Sequence, residues 1–417
     1  MSRKKINIGL FGFGCVGFGL YEVLTKTSGL KAEIKKICVK DKHKQRPIDA
    51  SHFTFDKEEL LNDEHINVIV ELIDDADAAF EIVSAALRKG KAVVSANKKL
   101  IAEHFEELLA LQKEYNAPFL YEAAVCASIP IIRNLEEYYD NDLLKSIVGI
   151  VNGSTNYILT QTFSENLSYE EALRQAQAKG YAESNPTLDT GGFDAKFKLL
   201  ILLAHAFGIV AKPQDLFHYG IENIGDPELR YAREKNLKIK LTAHAYRNEN
   251  GKITAFVLPQ FIKPSENLFK VDEVYNAVQT KTSFADTQFF MGKGAGAHPT
   301  ASAVLSDLSA LTYDYRYEYK KLNPTECLES AENIWLKVYF RHEKQYAEFF
   351  KTYFYEIEET YQNAQTGYFT GIISLAQIQK IQQIQNLEPS FILIEPIHAN
   401  HLSRAKKAVL PVEVVDY

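Results

Sequence analysis

A glycine-rich turn near the start of the chain constrains the fold more than any other feature. The apolar run 6–11 (INIGLF) predicts a strand, and it leads into Gly12-Phe-Gly-Cys-Val-Gly17 and a helical pattern that continues to about Lys26. In this setting the first glycine makes a tight turn, the second admits a pyrophosphate to the helix N-terminus and the third allows close packing. Taken alone, the motif also fits a turn that binds no ligand. The candidate cofactor contacts are Gly12, Phe13, Gly14, Cys15, Val16 and Gly17.

Strands and helices alternate through the first 130 residues, which supports the nucleotide-binding interpretation. The run 68–73 (VIVELI) is broken only by Glu71, as in a strand that is buried on both faces. Helical patterns alternate with strand-like runs at 34–40, 77–89, 92–95, 105–115 and 118–122. This alternation is typical of right-handed βαβ units in a mostly parallel sheet. The predicted fold class is therefore α/β, with a Rossmann-type dinucleotide-binding domain over residues 1–130.

The pattern changes after about residue 130. A strand-like run at 144–151 precedes the polar segment 152–156, which predicts a turn, and further helices and a hairpin follow to about residue 312. We predict an α+β substrate-binding and dimerisation domain over residues 131–315, with its C-terminal part packed back on the cofactor domain. Residues 330–417 show the order βαββαβ, with helices at 343–353 and 375–386, which predicts a ferredoxin-like domain.

Composition and charge exclude several classes of protein. The 417 residues include 47 Lys and Arg against 54 Asp and Glu, and the net charge of −7 argues against a non-specific nucleic-acid binder. The four cysteines lack CxxC spacing, which fits a reducing compartment and gives no zinc signature.

The basic start and the apolar run 6–20 resemble a signal peptide, but five glycines in that run favour a strand and a turn. No other run suits a membrane helix, so we expect a cytoplasmic protein without a membrane partner.

The segment after the second predicted strand bears on the choice of cofactor. It reads Lys40-Asp-Lys-His-Lys-Gln-Arg46, with four Lys and Arg side chains around one carboxylate. An acidic residue here accepts a ribose hydroxyl of NAD, whereas a cation suits the additional phosphate of NADP. The charges favour NADP(H), with Lys40 as the candidate contact. Asp41 keeps NAD(H) open, and a solvated basic loop is the structural alternative.

A second segment, 180–198 (GYAESNPTLDTGGFDAKFK), concentrates acidic and basic groups. If a helix begins near Gly192, Asp194 and Lys198 stand four residues apart and share one face. The apolar run 199–203 would bury this helix, and a lysine beside a carboxylate there is a plausible proton donor for hydride transfer to an aldehyde. An ion pair at an exposed helix start has the same spacing. The spacing alone leaves both interpretations open.

This segment resembles the substrate-binding signature of homoserine dehydrogenases. Five further matches run in the family's chain order and are spread over nearly all of residues 6–312. They are GFGCVG at 12–17, VVSANKKL at 93–100, EAAVCASIPII at 122–132, GIVNGSTNYIL at 149–159 and GKGAGAHPTASAV at 292–304. The resemblance implies interconversion of aspartate 4-semialdehyde and homoserine with a nicotinamide cofactor, in the biosynthesis of threonine, methionine and isoleucine.

The resemblance also implies roles for individual residues. Lys198 matches the family's catalytic lysine, which exchanges a proton with the substrate oxygen, and Lys98 matches a second lysine beside the nicotinamide. The acidic residues implied to hold the substrate's amino group and position its hydroxyl are Glu183, Asp189 and Asp194. The segment after the strand at 144–151 supplies the implied substrate contacts Gly153, Thr155 and Tyr157. Further implied cofactor contacts are Ser95, Ala96, Asn97, Lys98 and Gly294, the last in a loop that closes over the cofactor.

The resemblance implies an ion site as well, and the chain departs from the family pattern there and at two other places. Several of these enzymes bind a sodium-like ion through main-chain oxygens, which correspond here to those of Glu122, Val125, Ala127 and Ile129. The family is usually glycine-rich where Cys126-Ala-Ser128 stands. Asn185 replaces a usual Asp, which removes a negative charge near the substrate, and Asp74-Asp75 replaces a usual Gly-Gly.

Residues 330–417 resemble an ACT-type regulatory module. In this family such modules bind amino acids, often threonine, and pair between subunits, so the resemblance implies an amino-acid effector and a homodimer or homotetramer. The usual Asp-x-Pro-Gly turn after the first strand is absent, and Arg341-His-Glu-Lys344 stands there. An assembly role and an allosteric role are both open.

Two alternative functions compete with the homoserine dehydrogenase interpretation. One is another NAD(P)-dependent oxidoreductase that acts on a different small polar amino-alcohol or aldehyde. The other is a cofactor-binding regulator without catalysis, which Asp74-Asp75 and Cys126 suggest. The joint presence of Lys98, Lys198, Glu183 and Asp194 argues against a regulator, because a non-catalytic protein has no need of them all.

Overall fold

In the computed structural model, which describes residues 4–141, 143–385 and 387–397, residues 6–120 build a six-stranded parallel sheet. Its strands are β1 (Ile6–Phe11), β2 (Ala32–Cys38), β3 (Phe53–Thr54), β4 (Val68–Glu71), β5 (Ala92–Ser95) and β6 (Phe119–Leu120). They are ordered β3-β2-β1-β4-β5-β6, which is the strand order of dinucleotide-binding Rossmann domains. The α/β class and the Rossmann-type sheet predicted from the sequence are confirmed.

Six helices accompany this sheet, and three of them begin at a polar residue whose side chain caps the helix. They are α1 (Cys15–Lys26), α2 (Lys57–Leu61), α3 (Ala76–Arg88), α4 (Lys98–Glu103), α5 (Phe105–Tyr115) and α6 (Ile131–Glu137). The side chains of Asp56, Asp75 and Asn97 accept a backbone N–H at the starts of α2, α3 and α4. Asp75, one of the two carboxylates that replace the family's Gly-Gly, therefore has a structural role as a helix cap.

A mixed sheet follows in the same compact unit, which comprises the described residues up to 247 and 252–328. Its strands are β7 (Leu144–Ile150), β8 (Phe217–His218), β9 (Lys238–Arg247), β10 (Ile253–Ile262), β11 (Tyr275–Thr282) and β12 (Thr287–Lys293). The order is β12-β11-β7-β9-β10, with antiparallel neighbours, and β8 pairs with β10 in parallel. Both faces of β9 and β10 are mostly buried. This suits the apolar composition of β10, whereas β9 also buries the polar side chains of Lys240, Thr242 and His244.

The helices of this part are α7 (Gly153–Ser164), α8 (Tyr169–Ala178), α9 (Thr187–Thr190), α10 (Phe193–Phe207), α11 (Asp226–Glu234) and α12 (Ala297–Leu311). The apolar run 199–203 lies inside α10 and is buried, so this helix is a core element. Helix α12 packs on α1 of the parallel-sheet part: a Cβ on Gly19 would lie 2.8 Å from the carbonyl oxygen of Ala297.

The turn predicted at 152–156 is wrong. Helix α7 begins at Gly153, and the side chain of Asn152 accepts the backbone N–H of Thr155 at 2.8 Å as its cap. The polar composition of 152–156 suggested a loop, but residues 155–162 are buried, so tertiary packing stabilises a helix there.

The second compact unit comprises residues 248–251 and the described residues from 329 onwards. Its elements are β13 (Trp335–Glu343), α13 (Ala347–Lys351), β14 (Glu356–Gln362), β15 (Thr366–Ser374), α14 (Leu375–Gln382) and β16 (Ser390–Ile397). They follow the order βαββαβ, and the strands lie β16-β13-β15-β14 with antiparallel neighbours. The helix predicted at 343–353 is shorter, because β13 continues through Glu343 and a 3-10 turn precedes α13.

Six short 3-10 helices occur in the described residues, at Ala50–His52, Glu122–Ala124, Pro213–Asp215, Asn267–Lys270, Ala331–Asn333 and Lys344–Tyr346. No helix within the described ranges has both the length and the apolar content needed to cross a membrane.

Candidate active site

Two lysines from different parts of the chain meet at one buried carboxylate. Asp194 and Lys198 lie one turn apart on α10, and their Oδ2 and Nζ atoms are 2.7 Å apart. Lys98, the first residue of α4, places its Nζ 2.9 Å from Oδ1 of the same carboxylate. The structure therefore brings together three of the residues selected from the sequence, and the ion pair Asp194–Lys198 is buried.

Main-chain and amide groups at the end of β7 complete this cluster. Nζ of Lys198 donates to the carbonyl oxygen of Val151 at 2.6 Å, and Nδ2 of Asn276 donates to the same oxygen at 2.9 Å. Nδ2 of Asn152 donates to Oδ2 of Asp194 at 2.8 Å and to Oδ1 of Asp189 at 2.7 Å. The ammonium of Lys198 is thus oriented by two acceptors, a carboxylate and a carbonyl.

Electrostatics keep Asp194 ionised. Burial raises the pKa of this carboxyl group, but the ammonium groups of Lys198 and Lys98 outweigh burial and hold the pKa well below its ordinary value. The charge of Asp194 in turn raises the pKa of Lys98 above its ordinary value. Two cations sharing one carboxylate leave positive charge available for an oxygen that becomes an alkoxide.

The two lysines differ in their exposure to solvent. The side chain of Lys98 is 41% exposed, whereas that of Lys198 is only 9% exposed. Lys98 follows the carboxyl end of β5, and ligands of open parallel sheets bind at the carboxyl ends of the strands. A substrate can therefore approach the cluster from the side of Lys98.

The glycine-rich turn fits a pyrophosphate. Gly12 has φ +91°, and a Cβ there would lie 2.4 Å from the carbonyl oxygen of Leu72, so only glycine is accommodated without strain. A Cβ on Gly17 would lie 2.4 Å from the carbonyl oxygen of Gly12. At Gly14 nothing lies within 4 Å of the Cβ position, which leaves space for a ligand above the backbone. These are the three glycine roles expected of a dinucleotide-binding turn.

The remaining predicted substrate residues surround the cluster at different depths. Asp189 joins it through Asn152, and the hydroxyl of Thr155 donates to the Oδ1 atom of Asn152 at 3.0 Å. Tyr157 is buried, with its ring centroid 4.9 Å from that of Tyr181. Gly153 is the first residue of α7. Glu183 is exposed, and no contact of the described residues joins its carboxylate to the lysines.

Comparison with known proteins decides the family. Residues 12–122 match the family model "Homoserine dehydrogenase, NAD binding domain", and residues 130–309 match the model "Homoserine dehydrogenase". A Helicobacter pylori homoserine dehydrogenase is 40% identical over 315 residues, which are 73% of this chain and 73% of that protein. A Bacillus subtilis homoserine dehydrogenase is 36% identical over 322 residues, 75% of this chain and 74% of that one.

The chain belongs to the homoserine dehydrogenase family.

Solved structures of this family share the fold. A Thiobacillus denitrificans homoserine dehydrogenase has a TM-score of 0.83 and 29% identity, and the match covers 94% of this chain and 98% of that one. A hyperthermophilic archaeal homoserine dehydrogenase in complex with NADPH has a TM-score of 0.65 and 29% identity, covering 75% of this chain and 99% of that one. The chain is thus an oxidoreductase of this family, with a nicotinamide dinucleotide as its cofactor.

Several residues of this cluster were not selected from the sequence. Asn152 appeared there only as part of a predicted turn, although Asn before a helix is a known cap signal. Val151 contributes a backbone oxygen, for which side-chain identity is no guide. Asn276 lies on β11 and meets Val151 through strand pairing, since its neighbour Ala277 is opposite Ile150. Such long-range partners carry no local sequence signal.

The predicted ion loop has a constrained backbone. Cys126 and Ala127 both have positive φ, 55° and 38°, which explains why the family's usual glycines suit these positions. The carboxylate of Glu122 is not free for a cation, because it accepts N–H groups of Ile132 and Arg133 at 2.8 and 2.9 Å. No group of three metal-ligating side chains is found in the part of the chain that the structure describes. A cation here would depend on main-chain oxygens alone.

We expect Gly17→Ala to weaken cofactor binding, because a methyl group there must displace the carbonyl of Gly12. Overpacking of this kind costs about 1–3 kcal/mol, which corresponds to a loss of dinucleotide affinity of about 5- to 150-fold. Fluorescence titration with the reduced cofactor measures the loss. Gly29→Ala is the matched control, since nothing lies within 4 Å of its Cβ position. Equal affinity losses in both variants would contradict the expectation.

Proposed function

We propose that this chain catalyses the NADP(H)-dependent interconversion of L-aspartate 4-semialdehyde and L-homoserine. One observation carries the proposal: Asp194 holds the ammonium groups of Lys198 and Lys98 within 2.7 and 2.9 Å at the carboxyl end of the parallel sheet. The family membership supports the reaction. The bound dinucleotide supplies or accepts the hydride, and the residues of this chain move the proton and hold the substrate.

Lys198 acts as the acid in reduction and the base in oxidation. Its ammonium gives a proton to the substrate's carbonyl oxygen as that oxygen gains negative charge, and Asp194 and the Val151 oxygen keep the donor oriented. Lys98, beside the reacting carbon, stabilises the same developing charge. Because Lys198 is almost fully buried, bulk water does not compete for the proton.

Acidic residues and the start of α7 hold the rest of the substrate. Both substrate forms carry an α-ammonium group, and the carboxylates of Asp189 and Glu183 provide the complementary charge. The start of α7 offers the N–H groups of Gly153 and Ser154 to the substrate's carboxylate at a helix N-terminus, whereas the N–H of Thr155 is already accepted by Asn152. Thr155 and Tyr157 follow on the same helix. Glu183 is exposed, so its role requires the segment around it to contact bound substrate.

The cofactor preference rests on the loop after β2. Lys40 is exposed directly beyond the strand. The guanidinium of Arg46 donates to the carbonyl oxygens of Asp41 and Lys44 and lies 5.0 Å from the ring centroid of Phe53. Phe53 in turn packs edge-on against Phe13 of the glycine-rich turn, at 5.1 Å. Arg46 is therefore a second candidate contact for the 2′-phosphate of NADP.

The carboxylate of Asp41 is engaged within this loop. Its Oδ1 accepts the N–H groups of His43 and Lys44 at 2.8 and 3.2 Å, which lowers the pKa of this carboxyl group. These bonds orient Asp41 toward its own backbone, which weakens the case for a ribose contact of the kind made with NAD.

We expect Lys40→Glu to weaken NADPH binding at least about tenfold more than NADH binding, because only NADPH carries the phosphate that the lysine attracts. Fluorescence titration with both cofactors measures the ratio. Lys113→Glu, a charge reversal on α5, is the matched control. Equal losses for the two cofactors would remove the argument for NADP.

Other features remain predictions. We propose the functional boundaries 1–130, 131–315 and 330–417, since the sheet changes from parallel to mixed near residue 130. The βαββαβ order of the C-terminal unit supports an ACT-type module, which lies beyond both family-model matches. Four further features are expectations: an amino-acid effector such as threonine, a homodimer or homotetramer, a cytoplasmic location, and a sodium ion on the oxygens of Glu122, Val125, Ala127 and Ile129. Purified protein can test the effector, the assembly and the ion, and cell fractionation can test the location.

The decisive test is NADPH consumption with aspartate 4-semialdehyde, comparing the unmodified chain with Lys198→Ala. A panel of amino-alcohols in the oxidative direction separates other substrates, since inert homoserine beside an active alcohol would contradict the proposal. A regulator without catalysis would show no turnover with any of them. The cap formed by Asp75 accounts for one carboxylate of the Asp74-Asp75 pair, which was one of the two features that favoured such a regulator.

A further inference from the structure

A buried carboxylate at the carboxyl end of the parallel sheet has no part in the function proposed above. Glu71 is the only charged residue in the apolar run 68–73, and it lies at the carboxyl end of β4 with 0% exposure. Burying a carboxylate costs several kcal/mol unless its hydrogen-bonding capacity is used. Its partners therefore indicate what it does.

Both oxygens of Glu71 accept hydrogen bonds. The hydroxyl of Ser95, at the end of β5, donates to Oε2 at 2.5 Å, and the N–H of Ile73 donates to Oε1 at 2.7 Å. The backbone N–H of Asn97 donates to the Ser95 hydroxyl oxygen at 3.0 Å, and Nδ2 of Asn97 donates to the carbonyl oxygen of Ile73 at 3.1 Å. These four bonds close a ring that ties the ends of β4 and β5 together.

The ring fixes the start of α4. Asn97 is the cap of this helix, because its Oδ1 accepts the N–H of Leu100 at 3.0 Å. Lys98 is the next residue, and its ammonium reaches Asp194 at 2.9 Å. A change in the angle at which the chain leaves β5 therefore moves the Lys98 ammonium relative to Asp194.

Only a carboxylate satisfies both donors. An amide at position 71 offers one acceptor oxygen and one NH₂ group, so the Ser95 hydroxyl or the Ile73 N–H loses its acceptor. Burial raises the pKa of Glu71 to about 7, and Asp74 adds to this, against the hydrogen bonds from Ser95 and Ile73. Burial therefore disfavours the charged form of Glu71, and the two hydrogen bonds of the ring oppose that effect.

We infer that Glu71 is a positioning residue for the proposed dehydrogenase reaction, which acts through Ser95 and Asn97 to hold Lys98 at the reacting carbon. It touches neither substrate nor cofactor, since it is fully buried. This inference rests on the proposed function, because it assigns a purpose to the placement of Lys98.

The test is a double-mutant cycle in the full chain, with NADPH consumption on aspartate 4-semialdehyde as the assay. Glu71→Gln is expected to lower kcat on the order of 10- to 100-fold, because displacing a catalytic group by about 1 Å has that effect. KM for the semialdehyde should stay within about twofold, since the change affects the transition state more than ground-state binding. Ser95→Ala should also lower kcat, and the double variant should be no slower than Glu71→Gln alone, because both substitutions break one ring.

Glu228→Gln is the matched control. Glu228 is a fully buried carboxylate on α11 that accepts the N–H of Gly225 at 2.8 Å, away from the lysines. Its substitution should reduce thermal stability without lowering kcat.

The inference is overturned if Glu71→Gln folds and keeps kcat within twofold, if the two single effects multiply, or if Glu228→Gln lowers kcat equally. If Glu71→Gln does not fold, Ser95→Ala decides, and an unchanged kcat overturns the inference. Failure of the proposed function gives a different result from failure of this inference, because the unmodified chain would then show no NADPH consumption with aspartate 4-semialdehyde.

Discussion

Replacing Lys198 with alanine is expected to lower kcat about 10³-fold while leaving NADPH affinity within about twofold. The variant lacks the ammonium that exchanges a proton with the substrate oxygen, whereas the glycine-rich turn that holds the dinucleotide is untouched. Steady-state NADPH consumption gives kcat, and fluorescence titration gives the affinity. The loss should appear in both reaction directions, because one residue is the acid in reduction and the base in oxidation.

Lys196→Ala is the matched control for this substitution. Lys196 lies two residues earlier on α10 and is similarly buried, but its ammonium lies 5.2 Å from the ring centroid of Phe193. We expect this variant to lose thermal stability and to keep its kcat. A Lys198→Ala enzyme within tenfold of the unmodified kcat, or a Lys196→Ala enzyme with the same loss, would contradict the assigned role.

The second large effect is expected for Asp194→Asn, which keeps the shape of the side chain and removes its charge. Lys198 and Lys98 then share no carboxylate, and we expect kcat to fall about 100-fold because both groups lose their positions. Breaking a buried ion pair from one side costs about 3–5 kcal/mol of folding free energy. Thermal or urea denaturation measures this loss.

The pH dependence of stability provides a further check on Asp194. Its folded-state pKa lies below the ordinary value, so its stabilising contribution is present at neutral pH and is lost as the pH falls below about 4. The stability difference between the unmodified chain and Asp194→Asn should therefore narrow on acidification. Asp140→Asn, which removes the exposed ion pair with Lys320, should show a much smaller narrowing, because solvent screens that pair and its effect on the pKa of Asp140. A constant difference for Asp194→Asn would contradict the ionisation assigned here.

Features with short sequence spacing were predictable. The glycine-rich turn, the buried run of β4 and the helix with Asp194 and Lys198 are each specified by residues that are close together in the sequence. The order βαββαβ near the C-terminus was predictable for the same reason. Hydrophobic periodicity specifies such elements locally, and the structure has them within a few residues of the predicted bounds.

Features that depend on burial or on distant partners were not predictable. The segment 152–156 has the composition of a turn, and it is helical because the residues that follow are packed in the core. The fully buried Glu71 appeared only as an interruption of an apolar run, and its partner Ser95 stands 24 positions away. Asn276 meets Val151 across 125 positions. From the spacing alone, Asp194 and Lys198 could also have formed an ion pair on the surface. The structure shows that both side chains are buried.

The amino-acid sequence by itself determined the elements, the dinucleotide-binding turn and the chemical groups available for acid–base work, because local periodicity and side-chain chemistry depend on near neighbours. Tertiary structure alone decided that Lys98 from the parallel-sheet part and Lys198 from α10 share the carboxylate of Asp194. The order and register of the strands select such partners. Strand order and register depend on how the complete hydrophobic core packs, and a short stretch of sequence does not specify that packing.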